Sequence, residues 1–268
     1  AGEGTAENPY QIAELGHLVW MGEHVSESAG KHYRLMNDID ASSGEGYWDY
    51  GVNNQYATGI WQGGFAPIGD GPGSSFRGCF DGGGYVIGGL RVGDRSLAGL
   101  FGYVGEGGLV CNLGLIGAYM NGSVVGGIAA VVDGGTVSNS WVSAVLCGFS
   151  TVGGVAGEVY RGTVFRCYAT GACHQFSGAS GKFGGAVAEC LSEATVAECY
   201  AAVALKGETK GGLVACGSDQ FLVTNSYWDV EVSESGTSWM GGEGKTSSEM
   251  VHAGTFAGWD FTNVWGIA

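Results

Sequence analysis

Two carboxylates at matched positions are the first chemistry the chain offers. Glu158 and Glu189 each follow a glycine, Gly154 and Gly185, by four residues. If the segments that carry them stack, the two side chains stand about 5 Å apart, the spacing of a retaining glycosidase. The same pair can serve a calcium ion, which collects oxygen ligands from several groups. Arg161 lies near enough to supply the cation of a polysaccharide-cleaving site, and Arg166, Glu198 and His174 extend the charged set. The plain alternative is two solvated acids at a corner, their repulsion softened by Lys182 or Arg161. A second candidate is the segment 41–66, where Tyr47, Trp48, Tyr50, Tyr56 and Trp61 sit among Glu45 and Asp49, with Asp70 just beyond. Flat rings suit sugar faces and carboxylates suit hydroxyls. The same aromatic insertion can instead fold over the N-terminal end as a hydrophobic plug, and the two readings are compatible.

Other motifs fail on inspection. Gly241-Gly242-Glu243-Gly244-Lys245-Thr246 has Trp239 where a phosphate loop requires its first glycine. His17, His24, His32, His174 and His252 lack ligand spacing, and no Gly-x-Ser-x-Gly elbow is present. One threonine per repeat (Thr136, Thr163, Thr195) is not the two-column array of an ice-binding face.

What must position these residues is a repeat. Gly126-Gly127-Ile128, Gly153-Gly154-Val155, Gly184-Gly185-Ala186 and Gly211-Gly212-Leu213 lie 27, 31 and 27 residues apart. Each is followed by a second phrase, ending in Trp141, Tyr168, Tyr200 and Tyr227. Short runs of Thr, Val, Tyr and Trp between glycines favour strands. Strands returning in register about every 30 residues make each repeat one coil of a solenoid, stacked about 4.8 Å above the last. The expected fold is therefore all-β, a β-solenoid. A short N-terminal helix is expected from Ala13 to about His24. A capping box at Thr246 and Glu249 predicts another over Ser247–Ala253, followed by an aromatic cap of Phe256, Trp259, Phe261 and Trp265 over the open end. One continuous domain divides into first coils (1–97, with a flexible leader over 1–8), repeat coils (98–228) and a capping segment (229–268).

Composition bounds the function. Glycine is 54 of 268 residues and proline only 3, while apolar residues reach 45%, which is neither disordered nor collagen-like. A formal charge of -15 repels nucleic acid and anionic membrane. The uncharged run from Gly107 to Val132 fits the repeat register, so it reads as two buried rungs rather than a membrane span. No leader precedes Ala1, so any signal peptide is expected to have been removed or left out.

Eight cysteines contain no CxxC pair, and an even count in a Gly-rich acidic chain points to an oxidising compartment. Aligning the repeats predicts four adjacent-coil disulfides: Cys79–Cys111, Cys147–Cys173, Cys167–Cys199 and Cys190–Cys216. Alternatively, Cys167 and Cys199 point inward as reduced small hydrophobes.

Several phrases carry a resemblance. Glu7-Asn8-Pro9-Tyr10-Gln11-Ile12, Asn37-Asp38-Ile39-Asp40, Pro67-Ile68-Gly69 and Phe80-Asp81-Gly82-Gly83-Gly84, together with the Gly-Gly repeats and Asn225-Ser226-Tyr227-Trp228-Asp229, resemble bacterial GLUG-motif proteins in family order. So do Gly244-Lys245-Thr246 and Glu249-Met250. The resemblance implies a right-handed parallel β-helix on large secreted or surface-attached proteins, among them adhesins and protease-bearing proteins, with no catalytic residue to transfer. The insertion is longer than usual in such proteins, and the chain stops at Gly266-Ile267-Ala268 where relatives continue into a strand. The expectation is a fragment, or an end completed by a neighbour. The favoured function is a non-catalytic extracellular module for adhesion, glycan or ligand binding, or self-assembly, partnered by a glycan, a surface protein or its own copies. The competing class is a polysaccharide lyase or glycoside hydrolase.

Overall fold

The computed structural model describes residues 2–42, 64–176, 180–218, 220–262 and 264–265. It is a parallel β-solenoid whose coils contribute to three sheets of eight, five and eleven strands. The first sheet runs from Tyr10–Ile12 through Leu109–Cys111, Thr136–Ser138 and Thr163–Phe165 to Leu222–Thr224. The second stacks Phe101–Val104, Ala129–Asp133, Ala156–Tyr160, Val187–Leu191 and Val214–Gly217. The third holds the longest strands, Gly114–Gly126 and Trp141–Gly153. Like lies on like: Thr136, Thr163 and Thr195 are in register, as are Val137, Val164 and Val196. The valines point inward and are fully buried, where β-branched side chains one rung apart fill the core.

The glycine doublets occupy vertical files. Gly126, Gly153, Gly184 and Gly211 pair in register. A Cβ on Gly127 would meet the Gly154 carbonyl oxygen at 2.6 Å, one on Gly154 the Gly185 oxygen at 2.2 Å, and one on Gly185 the Gly212 oxygen at 2.0 Å. Backbone lies directly on backbone, so only glycine fits. At another corner Asn112, Asn139, Arg166, Glu198 and Asn225 all adopt φ between 45° and 55°. Asparagine tolerates this left-handed turn best. Arg166 and Glu198 share it while joined by an ion pair of 2.8 Å.

The ends differ from expectation in three ways. Residues 2–8 are not a loose leader, because the Asn8 carbonyl accepts from the amides of Glu3, Gly4 and Thr5, and His32 donates to Gly4. The N-terminal helix forms at Leu15–Glu23, but none forms over 247–253. The capping-box bonds are made, Thr246 N–H to Glu249 Oε2 at 2.8 Å and Glu249 N–H to Thr246 Oγ1 at 3.3 Å, yet only turns follow. The short helix is Val230–Ser233 instead, capped by Asp229, which accepts from the amides of Glu231 and Val232. The aromatic tail does not close the open end. Phe256 and Trp259 pack against Tyr227 on the outer side of the third sheet, while Glu243–Lys245 adds a strand to its edge. Gly107–Val132 supplies buried rungs as expected, and among the described residues no helix is long and apolar enough to cross a membrane.

The glycine file makes a sharp test. Gly154→Ala should lower unfolding free energy by at least about 3 kcal/mol or abolish folding. Gly236→Ala, where nothing lies within 4 Å of the new methyl, should stay within about 0.5 kcal/mol of the parent. Urea denaturation of both variants measures the difference.

Candidate functional site

The third sheet carries an outward column in which Gly114, Trp141, Tyr168, Tyr200 and Tyr227 are in register. The rings stack. Trp141 and Tyr168 are 5.8 Å apart at 6°, and Tyr168 and Tyr200 5.3 Å apart at 12°. The ladder stops at Gly114, where a Cβ would lie 2.6 Å from the Trp141 ring. The indole therefore rests on bare backbone. Beside the ladder runs the left-handed corner of Asn112, Asn139 and Arg166. Across it lies the C-terminal tail, with Trp265 stacked on Trp259 at 4.0 Å and 6.3 Å from Tyr168. These elements enclose a lateral groove of about 620 Å³.

Hydrogen-bonding groups line the groove, some of them already partnered. Asn112 Nδ2 donates to Asp81 at 2.9 Å, and Arg166 is held by Glu198 while its guanidinium lies 4.6 Å over the Phe165 ring. The Trp265 Nε1 is shut from solvent and meets no acceptor among the described residues. Burial raises the phenol pKa of Tyr168 and of Tyr200, so both hydroxyls remain protonated donors. Among the described residues the lining contains no carboxylate, histidine or cysteine. Its one hydroxyl nucleophile, Ser140, is committed: it accepts from Leu113 N–H at 3.2 Å and donates to the Ser138 carbonyl at 2.7 Å. Such a surface can bind a hydroxyl-rich ligand. Sequence reasoning used Trp141, Tyr168, Tyr200 and Tyr227 only as repeat markers. The signal it passed over was the break in their column at Gly114.

Glu158 and Glu189 do stand in register on adjacent coils. Glu158 accepts from Thr151 Oγ1 at 3.1 Å and Tyr160 OH at 3.3 Å. Burial, then the Glu158 charge and hydrogen bond, push the Tyr160 phenol up to about 12. Glu189 pairs with Lys182 at 2.7 Å. Arg161 is not part of this set. It bonds Asp133 at 2.6 Å, and Asp133 also accepts from Tyr103 OH at 2.8 Å. Among the described residues no group of three or more His, Cys, Asp or Glu side chains could hold a metal ion. The insertion residues Tyr47, Trp48, Asp49, Tyr50, Tyr56 and Trp61 lie outside the described residues.

All eight cysteines are unbridged, and register explains two of the failures. Cys147 pairs with His174 while Cys173 pairs with Leu146, a one-residue offset that sends the two thiols to opposite faces. Cys216 pairs with Glu189, not Cys190. Cys167 and Cys199 are buried column neighbours, but each thiol donates to a carbonyl, Phe165 at 3.3 Å and Ala197 at 3.2 Å. Cys79 faces Leu109 and Cys111 faces Asp81, a two-residue offset that keeps both thiols on one face without placing them directly opposite.

No model of a protein family matches the chain. Over 121 residues, 44% of the chain, it is 40% identical to an Evansella cellulosilytica protein provisionally named a Gly-rich membrane protein. Over 126 residues, 46% of the chain, it is 34% identical to halomucin of Haloquadratum walsbyi. Those stretches are 12% and 1% of the two relatives' lengths. Among solved structures, a Bacteroides ovatus protein provisionally named an immunoglobulin A1 protease matches with a TM-score of 0.59 and 18% identity, covering 97% of this chain and 90% of that one. A protein named IgA1 protease matches with a TM-score of 0.50 and 15% identity over 88% of this chain and 20% of its own. At such identities the likeness shows the fold alone.

The Cys79–Cys111 contact has a measurable consequence. The neighbouring Cys111 thiol, aided by His32 on the facing rung, draws the Cys79 thiol down to about 6, while Cys111 is raised. The thiolate is the nucleophile, so iodoacetamide should label Cys79 first at pH 7, with a rate that falls off as pH drops through about 6. Cys111→Ala should move that midpoint upward. The buried Cys167, Cys173, Cys190 and Cys199 should label only after unfolding, and mass spectrometry of digests reads all of these outcomes.

Proposed function

We propose that this chain is a module of a secreted or surface-attached protein, built of GLUG-type coils in one continuous domain, that binds a neutral glycan in the lateral groove beside its aromatic ladder. One observation carries the reading: hydroxyl, amide, indole and guanidinium groups line a groove in which, among the described residues, there is no acid and the one serine hydroxyl is already committed. Trp141 supplies an apolar wall, Asn139 and the two phenols answer sugar hydroxyls, and Trp265 closes one side. Protein sites for small ligands combine apolar walls with a few convergent polar groups in this way. The net charge of -15 disfavours anionic polymers. The names of the relatives, a Gly-rich membrane protein and a halomucin, fit a cell-surface setting.

Titration calorimetry with cellohexaose, xylohexaose and mannohexaose tests the reading. At least one should bind, and Trp141→Phe and Asn139→Gly should each weaken it about tenfold, or about 1.4 kcal/mol. Glycine keeps the left-handed φ of residue 139 while removing only the amide. Absence of binding by all three sugars, or indifference to both substitutions, overturns the proposal.

A second reading rests on the second sheet. Lys182, Glu189, Glu158 and Tyr160 converge over two adjacent coils, which joins a cation, two acids and a phenol as a polysaccharide lyase requires. Tyr160 is a poor base as it stands, since its phenol is pushed up to about 12. Incubation with polyuronates and neutral polysaccharides should release no unsaturated or reducing ends. Release that Glu158→Gln abolishes would install the enzyme in place of the binding module.

A further inference from the structure

A second cavity lies near the N-terminal end, between the helix Leu15–Glu23 and the strand Arg91–Ala98. Its volume, about 660 Å³, falls in the range of sites that take small organic ligands. The strand on one wall is interrupted. Its register against Gly114–Gly126 slips between Val92 and Arg95, and Asp94 at the slip holds φ at 47°. Bulges re-aim the side chain beside them and cluster at functional sites. Here that side chain is Arg95, which lines the cavity. Its Nε is closed off from water and meets no hydrogen-bond acceptor among the described residues. A guanidinium N–H held without an acceptor is costly unless something arrives to accept from it.

We propose that this cavity binds a single carboxylate carried on a short aliphatic body. The carboxylate accepts from the Arg95 guanidinium, whose planar fork matches carboxylate geometry, and the aliphatic part lies against Val19, Val25 and Leu97. Charge limits the ligand to one carboxylate. Glu23 and Asp70 also line the cavity, and with the net charge of -15 they oppose sulfate, phosphate and polyanions. Asp70 takes the Ser74 hydroxyl as its partner, which leaves Arg95 to the ligand. Both a free branched short-chain acid and a peptide chain ending in an aliphatic residue present this chemistry. The site is separate from the glycan groove and does not depend on it.

Calorimetry on the full chain with isovalerate, N-acetylglycyl-leucine, N-acetylglycyl-leucinamide and sulfate decides the matter. At least one acid should bind, with the amide at least tenfold weaker and sulfate not saturating. Tighter binding of the peptide acid assigns the ligand to a chain end, and tighter binding of isovalerate assigns it to a free acid. Arg95→Gln should weaken the acid at least tenfold, Arg95→Lys should restore part of the loss, and Glu23→Gln on the exposed rim should tighten binding. Circular dichroism shows that each variant is folded, and hexasaccharide binding by Arg95→Gln should match the parent. Silence from both acids, equal binding of acid and amide, or an Arg95→Gln protein that binds like the parent would overturn the assignment.

Discussion

Backbone touches backbone along the glycine files, and every other column of the solenoid inherits its register from that contact. In a parallel stack a slip of one residue would turn each inward side chain outward. The Gly127, Gly154 and Gly185 positions resist such a slip because a Cβ there would lie 2.6, 2.2 and 2.0 Å from the glycine carbonyl oxygen of the next coil. Only a residue without a side chain can occupy the file, so each coil resets its register at the doublet. This explains how one coil can be four residues longer than its neighbours. The extra residues fall between Gln175 and Lys182, and the strand Trp141–Gly153 pairs with Tyr168–Gln175 before the gap and with Lys182–Gly184 after it.

A second column satisfies the backbone at the left-handed corner. Ser140, Cys167, Cys199 and Ser226 follow the corner residues, and each donates to the carbonyl two residues earlier, at 2.7, 3.3, 3.2 and 2.8 Å. Serine and cysteine share one role there. Each carbonyl also accepts from a backbone amide of the preceding coil, Phe165 from Asn139 and Ala197 from Arg166 at 3.0 Å each, so the thiol is a second donor, which a bridge between Cys167 and Cys199 would remove. Buried without a bridge, the two cysteines act as small apolar side chains with a weak donor.

Architecture was legible because repetition multiplies weak signals: a single Gly-Gly pair says little, whereas four at matched intervals imply a file. The failures come from features that counting misses. Cys147 and Cys173 were placed by offsets of six and five residues from Trp141 and Tyr168, close enough to sound adjacent but different in parity, and parity decides the face. The Thr246–Glu249 box formed its local hydrogen bonds without a helix, because burying Phe256 and Trp259 against Tyr227 governs the path of the chain beyond it. Propensity yields to tertiary packing where large aromatic surfaces compete. The groove was half legible: its aromatic residues were visible as repeat markers, while the tail that encloses it could not be placed from the sequence.

Both cavities lie where the repeat departs from itself. In the carboxylate column of the second sheet the pattern is kept, and the polar groups satisfy one another: Glu158 with Thr151 and Tyr160, Glu189 with Lys182. At Gly114 the column loses its ring, and the indole above covers backbone instead of another aromatic, which opens the groove. At Arg95 a bulge turns a cation into a cavity and leaves one of its donors without an acceptor among the described residues. Perfect stacking consumes hydrogen-bonding capacity coil by coil, whereas an interruption frees it. In a fold held by repetition, binding capacity therefore concentrates at the irregular positions.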